Sequence, residues 1–388
     1  MYKHVENFRT SVSVDRDDTY KVDLPKAGVL SYIYIDYLAR HATGGAFQDV
    51  GTGKWRILDF LTNISVVVNG RANVVNASAA LLQYKAFLAQ GIVAFNKERE
   101  YSQSYQNARI LIPFGAYMWD KARGLDLADY DNVELQVKNE CSSTYWQDYN
   151  AVTVKLGWMR DHALPGSKEF FQFEEWRKIT TVADKWEYLS LPVGKKIAHI
   201  VTQVIPARDT TTGINKTYPR YVLDEMKLQY KNGQILVFDD SIEALWHQNW
   251  LDLGFEVFTH GAAYHYANRG FDVSIGEVRG AAALAHASST TVASVIPSRE
   301  GDQDATTQQF MSYSADHPTD FLFRGAGYQS CGVFRYGEYG QDEDLLDPGV
   351  NAQGNVLLDL HTKNDSNAAS GAVTVALDRL STPASLAS

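Results

Sequence analysis

Residues 64–70 read ISVVVNG and residues 226–233 read MKLQYKNG, and these two stretches decide the fold. Each is a strand-like run that ends in Asn-Gly, the strongest short signal for a β-hairpin, because a type I′ turn needs positive φ at both central residues. A helix-like segment that ends in glycine follows each stretch. These glycines, Gly91 and Gly254, each lie 21 residues after the glycine of the turn. The chain is therefore predicted to contain one structural unit twice.

The helices expected between these landmarks run over 79–89 and 242–253. In the second, apolar residues recur at helical spacing and Asp240 is the predicted N-cap. Glycine directly after the last turn is typical of a helix that stops in the left-handed conformation. We therefore expect a short helix after each predicted hairpin.

Two further landmarks extend the repeat on both sides of the hairpins. A Leu-Pro step precedes a predicted strand in each copy, and two alternating strands close each copy. The Leu-Pro steps are 24–25 and 191–192, and the closing strands are 132–140 and 151–156 in the first copy, 355–365 and 372–377 in the second. Alternation with period two predicts strands with one face on a core. Because each unit has many predicted strands and few predicted helices, we expect an all-β fold of two tandem jelly-roll β-sandwiches, a double jelly roll.

The two copies differ in length. The second carries about 60 extra residues between its helix glycine and its closing strands, within 255–344, and these predict long loop insertions. The predicted domain boundaries follow from these landmarks. They are an N-terminal arm at 1–20, a first jelly roll at 21–158, a link at 159–186, a second jelly roll at 187–380 and a C-terminal tail at 381–388. Within the link, residues 168–176 are compatible with either a helix or an extended strap.

Composition restricts the possible functions of the 388 residues. The formal net charge is −10, which does not favour wrapping of nucleic acid, and we expect no direct sequence-specific nucleic-acid binding. The two cysteines, Cys141 and Cys331, allow one bridge in principle but no disulfide scaffold. The first residues lack the apolar core of a signal peptide, and no stretch approaches 18 consecutive apolar residues. We therefore expect synthesis in the cytosol.

Motifs that carry catalysis or bind cofactors are missing from the sequence. It contains no His-Glu-x-x-His, no Cys-x-x-Cys and no Gly-x-Ser-x-Gly. The weak candidates, each more easily explained as an ordinary loop or strand, are the phosphate-loop-like 51–55, the pair His260 and His265, the pair Asp302 and Asp304, and the adjacent acids at 174–175 and 342–344. We therefore assign no catalytic, cofactor-binding or metal-binding residue and expect a protein that is not an enzyme.

Three segments of the first unit carry a resemblance to a known family: 110–115 (ILIPFG), 124–127 (GLDL) and 130–135 (YDNVEL). With the repeated unit, they resemble the double jelly-roll major capsid proteins of tailless icosahedral viruses, the lineage of adenovirus hexon and tectivirus coats. The resemblance covers roughly 20–380. It implies a structural protein of the virion, for example of a bacteriophage, that forms pseudo-hexagonal homotrimers which tile an icosahedral shell.

Several partners and locations also follow from this resemblance. The expected partners are neighbouring capsid trimers, penton and minor capsid proteins, and an internal membrane under the shell. The protein would be made and assembled in the host cytoplasm and would reside in the capsid shell. The insertion at 255–344 would form the larger outward tower.

Two other functions remain open from the residues alone. One is a carbohydrate-binding or receptor-binding β-sandwich of the spike or lectin kind, in which exposed aromatic side chains stack on sugars. The aromatic candidates are Tyr264, Tyr266, Phe271, Tyr328, Phe334, Tyr336 and Tyr339. The other is a glycan-active enzyme that uses a pair of carboxylates from distant strands.

Overall fold

The computed structural model describes most of the chain. The described residues are 1–41, 56–100, 105–141, 146–147, 149–166, 168–207, 219–254, 257–263, 275–285, 319–336, 344–349 and 356–387. Strands dominate, and the helices are short: α1 (Ile57–Phe60), α2 (Ala79–Gln90), α3 (Ile242–Leu253) and α4 (Pro383–Ala387). No helix in these ranges is long and apolar enough to span a lipid bilayer.

The described residues contain twenty-one strands, numbered in chain order. Those of the first half are β1 (Tyr2–Asp15), β2 (Thr19–Asp23), β3 (Val29–Arg40), β4 (Asn63–Val68), β5 (Ala72–Ala77), β6 (Arg99–Glu100), β7 (Tyr105–Pro113), β8 (Leu125–Asp126), β9 (Val133–Lys138) and β10 (Tyr149–Arg160). Those of the second half are β11 (Phe170–Thr180), β12 (Lys185–Ser190), β13 (Ile197–Ile205), β14 (Leu223–Tyr230), β15 (Ile235–Asp240), β16 (Val257–Ala263), β17 (Ile275–Ala285), β18 (Thr319–Tyr328), β19 (Cys331–Arg335), β20 (Val356–Thr362) and β21 (Ala372–Ser381).

Strand order shows that the two halves share one topology. In the first half the facing sheets have the orders β1-β10-β3-β7 and β2-β9-β4-β5, and β8 adds to β3. In the second half the orders are β11-β21-β13-β19 and β12-β20-β14-β15. Each half has eight main strands when β6 and β8 are left out of the first half and β16 to β18 are left out of the second. Numbered from one to eight along the chain, these strands have the orders 1-8-3-6 and 2-7-4-5 in both halves, which is the jelly-roll order. The predicted double jelly roll is confirmed.

The hairpins and helices that define the repeat are present in both units. Asn69 and Gly70 have positive φ of 52° and 65° and join β4 to β5, and Asn232 and Gly233 lie at the same place between β14 and β15. Helices α2 and α3 follow these hairpins and end at Gly91 and Gly254, with left-handed φ of 67° and 71°. The hairpin and helix predictions are therefore confirmed.

The N-cap of α3 differs from the prediction by one residue. Ser241, not Asp240, has extended backbone directly before the helix, and its hydroxyl accepts a hydrogen bond from the Ala244 N–H at 3.3 Å. Asp240 is the last residue of β15, and its carboxylate accepts from the Ser241 N–H at 2.7 Å. The strand therefore runs one residue further, which moves the cap to Ser241.

The structure also differs from the predicted arm and link. Residues 2–15, inside the predicted arm at 1–20, form β1, which pairs with β10 from Tyr2↔Arg160 to Asp15↔Tyr149. Residues 170–180, inside the predicted link at 159–186, form β11, which pairs with β21. Each is the first strand of its unit. These strands lack clean apolar alternation. Most of β1 is exposed, whereas β11 begins with consecutive buried residues and continues with partly exposed ones, so their sequence resembled a terminus or a strap.

The first strands repeat one another residue for residue. Leu156 and Leu377, which match in the closing strands, pair with Glu6 in β1 and with Glu174 in β11. A bulge then interrupts both pairings at the same place, between Asn7 and Arg9 and between Glu175 and Arg177. The segments 6–9 (ENFR) and 174–177 (EEWR) are therefore equivalent.

The hydrophobic core runs through both units without a clear boundary. The main cluster lies between the sheets of the first jelly roll but also includes Val201, Val333 and Ala376 of the second. A smaller cluster fills the second jelly roll. Within the insertion at 255–344, β16, β17 and β18 form a sheet to which β6 of the first unit adds in parallel. Residues 264–274 and 286–318 lie outside the described ranges.

Substitution of Gly254, the glycine that ends α3, tests the left-handed helix cap that both units share. A Cβ on Gly254 would meet no atom within 4 Å, so Gly254→Ala should destabilise only through the left-handed backbone, by about 1 kcal/mol. Gly254→Asn should lose less, because asparagine tolerates this conformation. Thermal unfolding should rank wild type above Asn and Asn above Ala; an alanine variant as stable as wild type would contradict the assigned cap.

Candidate functional site

The weak catalytic and metal candidates of the sequence do not come together in the described residues. Glu174 forms an ion pair with Arg379, and Glu175 accepts a hydrogen bond from the Ser78 N–H at 2.7 Å. His260 lies in β16, whereas the segment 51–55 and the residues His265, Asp302, Asp304, Asp342 and Glu343 lie outside the described ranges. No cluster of three or more His, Cys, Asp or Glu that could hold a metal occurs in the described part of the chain.

Both cysteines, Cys141 and Cys331, are buried, and neither forms a disulfide. Burial raises the pKa of the Cys331 thiol well above its ordinary value, which keeps it protonated and unreactive. No disulfide therefore joins the two units, and their junction depends on noncovalent contacts.

The aromatic side chains proposed for sugar stacking are packed where the structure describes them. Tyr328 and Phe334 are buried, and the Tyr336 hydroxyl hydrogen-bonds that of Tyr230. Tyr264, Tyr266, Phe271 and Tyr339 lie outside the described ranges. These three described candidates therefore do not form an exposed stacking surface.

The junction between the two jelly rolls is held by a strand pairing and by specific side-chain contacts. The last strand of one sheet in the first unit, β5, pairs in parallel with β11 of the second, with Val75 beside Phe173 and Asn76 beside Glu174. This pairing joins one sheet from each unit into a continuous eight-stranded sheet. The side-chain amide of Gln172 donates to the Asn73 carbonyl at 2.7 Å and extends the contact beyond the ladder.

A buried ionic group fixes helix α2 of the first unit on the second unit. The Lys85 ammonium lies 2.8 Å from one Asp378 carboxylate oxygen, and His199 Nδ1 lies 2.9 Å from the other. Lys85 and Asp378 are almost completely buried, and His199 lies at the edge of a narrow cleft between the units. Burial alone would raise the pKa of Asp378, but Lys85 and His199 outweigh it and hold that pKa below its ordinary value.

A second buried polar group lies at Gln83, nearer the N-terminus of α2. The side-chain oxygen of Gln83 accepts from the Tyr328 hydroxyl at 3.0 Å and from the Gln329 amide at 2.8 Å. The Gln83 amide nitrogen donates to the Arg109 carbonyl at 2.8 Å within the first unit. Because all these groups are shielded from water, they stabilise one docking geometry and penalise others.

A lysine beside the shared sheet also has an unusual environment. The Lys195 ammonium donates to the Gln172 side chain at 2.8 Å, next to the ion pair of Glu174 and Arg379. Burial and the nearby Arg379 guanidinium lower the pKa of Lys195 to about 8. The junction thus combines a strand pairing, a common core and hydrogen-bonded charges, and it holds the two units as one body.

Sequence reasoning missed these junction residues for a physical reason. Lys85, His199 and Asp378 are far apart in the chain and each is common in solvated positions, so no local pattern marks them. The equivalence of 6–9 and 174–177, by contrast, leaves a weak mark in the sequence, Glu-x-aromatic-Arg, that could have extended the internal repeat.

Comparison with known proteins gives no match by sequence and clear matches by structure. No model of a known protein family matches the chain, and no curated protein sequence does. The atomic structure of Sulfolobus turreted icosahedral virus contains a chain that matches with a TM-score of 0.60 at 10% identity, over 98% of this chain and 91% of that chain. The chain therefore has the double jelly-roll fold of viral coat subunits.

Two further structures come from other viruses. The PBCV-1 virus capsid matches with a TM-score of 0.53 at 10% identity, over 98% of this chain and 94% of that one. The major capsid protein P2 of bacteriophage PM2 matches with a TM-score of 0.50 at 8% identity, over 98% of each chain. The chain thus has the fold of viral major capsid proteins from one end to the other.

The buried ionic group yields a prediction about stability. Lys85→Met should lower the free energy of unfolding by about 3–5 kcal/mol, because it leaves the Asp378 carboxylate buried beside no strong cation. The double variant Lys85→Met with Asp378→Leu should recover much of that loss, since neither charge remains. Urea unfolding of the three proteins measures both values, and a single variant within about 1 kcal/mol of wild type would disprove the role of the pair.

The same variants predict a pH dependence. The folded-state pKa of Asp378 is lower than its ordinary value, so its contribution to stability is complete above about pH 4 and is lost as the pH falls through the folded-state pKa. The stability of wild type relative to the double variant should therefore decrease between pH 6 and pH 3. A difference in unfolding free energy that stays constant over this range would contradict the assignment.

Proposed function

We propose that this protein is the major capsid protein of an icosahedral virus and builds the virion shell. The observation that supports the proposal is the match of the complete double jelly roll, unit for unit, to viral coat subunits over almost the whole of both chains. A function in assembly needs extended surfaces and a rigid subunit rather than a reactive centre. The junction, with its continuous sheet and buried charges, provides such a subunit.

We further propose that the working unit is a homotrimer. Two equivalent jelly rolls in each chain give six in a trimer, so an object with threefold symmetry presents a nearly hexagonal outline that can tile a flat facet. Its partners would be neighbouring trimers, penton and minor capsid proteins, and a membrane under the shell. The protein would assemble in the host cytoplasm and would have no enzymatic role.

The domain division and the tower are also part of the proposal. The strands favour a first unit that begins with β1 and a second that begins with β11, so the segment that joins them is shorter than the predicted 159–186. The insertion at 255–344, which includes β16 to β18, would form the outward tower of the second unit.

Native mass tests the proposed trimer. Light scattering on a sizing column should give about 130 kDa, three times the 43.3 kDa of one chain. Electron microscopy of concentrated samples should then show hexagonal particles or arrays of them. A protein that stays monomeric at micromolar concentration in both low and high salt would rule out the trimer as the building block.

A further inference from the structure

Two sheet edges that correspond to the paired edges of the junction have no second partner among the described strands. Within this described set, β15 ends the second unit's sheet and pairs only with β14, and β1 ends the first unit's sheet and pairs only with β10. Their equivalents, β5 and β11, pair with each other at the junction. Each chain therefore carries a second copy of each strand of its internal contact: β15 corresponds to β5, and β1 corresponds to β11.

The equivalence of β15 and β5 is fixed by their hairpins. Val75 lies five residues after Gly70 and pairs with Val66, and Phe238 lies five residues after Gly233 and pairs with Leu228. A bulge follows each of these pairs on the side of the turn. Val75 therefore corresponds to Phe238, just as Phe173 corresponds to Val5 in the first strands.

Apolar side chains that are buried at the junction are exposed at the open edges. Val74 is 0% exposed in β5, whereas its equivalent Val237 in β15 is 48% exposed. Phe173 is 0% exposed in β11, whereas its equivalent Val5 in β1 is 50% exposed. Ile235, Leu236 and Tyr2 are also exposed on these strands. A bare edge with consecutive apolar residues associates with other strands unless something covers it.

We infer that β15 of one copy pairs in parallel with β1 of a second copy, in the register that β5 and β11 use within the chain. Phe238 would then lie beside Val5, and Asp239 beside Glu6. This inference rests on the proposed function, which supplies the number of copies, and it names the strands through which they join.

The polar residues at the two edges fit the same register. At the junction, the Gln172 side chain donates to the Asn73 carbonyl. The equivalent residues at the open edges are His4 and Leu236, so the His4 ring can donate to the Leu236 carbonyl of the next copy. The carboxylates of Glu6 and Asp239 would be neighbours, but each already has a cation close by: Arg160 at 3.7 Å and Lys227 at 3.8 Å, respectively. These cations reduce the repulsion between the two acids.

Symmetry follows from the fact that the two edges differ. Because β15 contacts β1 and not another β15, the contact runs head to tail and produces a ring wherever the rotation closes. A ring of three chains would contain six jelly rolls joined by six similar contacts, three within chains and three between them. Pairing of two β1 strands or two β15 strands would instead give a twofold dimer.

Matched edge substitutions test the contact. Leu236 is 54% exposed on β15, and Tyr188 is 72% exposed on β12, the opposite edge of the same sheet. We expect Leu236→Lys to convert the trimer to a monomer in light scattering, and Tyr188→Lys to leave the trimer intact. Circular dichroism should show wild-type strand content for both variants, since neither side chain is buried.

Cysteine pairs test the register directly. The Cα atoms of neighbouring strands lie about 5 Å apart, within reach of a disulfide, and both native cysteines are buried. Under oxidation, Glu6→Cys mixed with Asp239→Cys should give covalent dimers, whereas neither variant alone should link to itself. A chain that carries both substitutions should give covalent trimers, and Glu6→Cys combined with Tyr188→Cys should give none.

The outcomes separate this inference from the proposed function. If wild type is a trimer but Leu236→Lys stays trimeric and the cysteine pairs do not link, the strand contact is wrong while the capsid proposal stands. Linkage of Glu6→Cys to itself would overturn the head-to-tail arrangement. A wild-type protein that is monomeric in all conditions would overturn both.

Discussion

A β-strand at the edge of a sheet carries unpaired backbone N–H and C=O groups, and this architecture depends on how those groups are satisfied. Each jelly roll has an edge at its first strand and another at its fifth. Within the chain one such pair of edges is joined, at β5 and β11, and the two sandwiches become one body. The common core and the buried contacts of Lys85 and Gln83 then fix how the second sandwich sits on the first.

The buried charges at the junction select one docking geometry of α2 on the second unit more than they strengthen the contact. Lys85 and Asp378 are both removed from water, and their attraction offsets a large desolvation cost. Apolar residues of similar volume would bind as well, but they would tolerate sliding of α2 along the second unit. The ionic group and the hydrogen bonds of Gln83 are satisfied only when donors and acceptors meet, so they select one geometry.

Much of the fold could be predicted because the repeat depends on local signals. Positive φ at Asn69 and Gly70, and left-handed glycines at Gly91 and Gly254, are local backbone requirements that leave clear marks in sequence. The first strands could not be recognised in this way, because β1 and β11 pair with the last strands of their units and neither alternates cleanly between apolar and polar residues. The junction could not be predicted at all, because Lys85 and Asp378 lie 293 residues apart in the chain and no local pattern connects them.

The pairing of first and last strands also determines the order in which the chain can fold during synthesis. Tyr2 leaves the ribosome early but pairs with Arg160, and Phe170 pairs with Ser381 near the end of the chain. Neither sandwich can close its first sheet until its final strand has emerged, and contacts between such distant residues form slowly. Until the final strand emerges, the nascent chain carries open apolar edges, which chaperones or neighbouring nascent chains can bind. Loss of β21 would leave β11 without its antiparallel partner and would undo the second sandwich and the junction together.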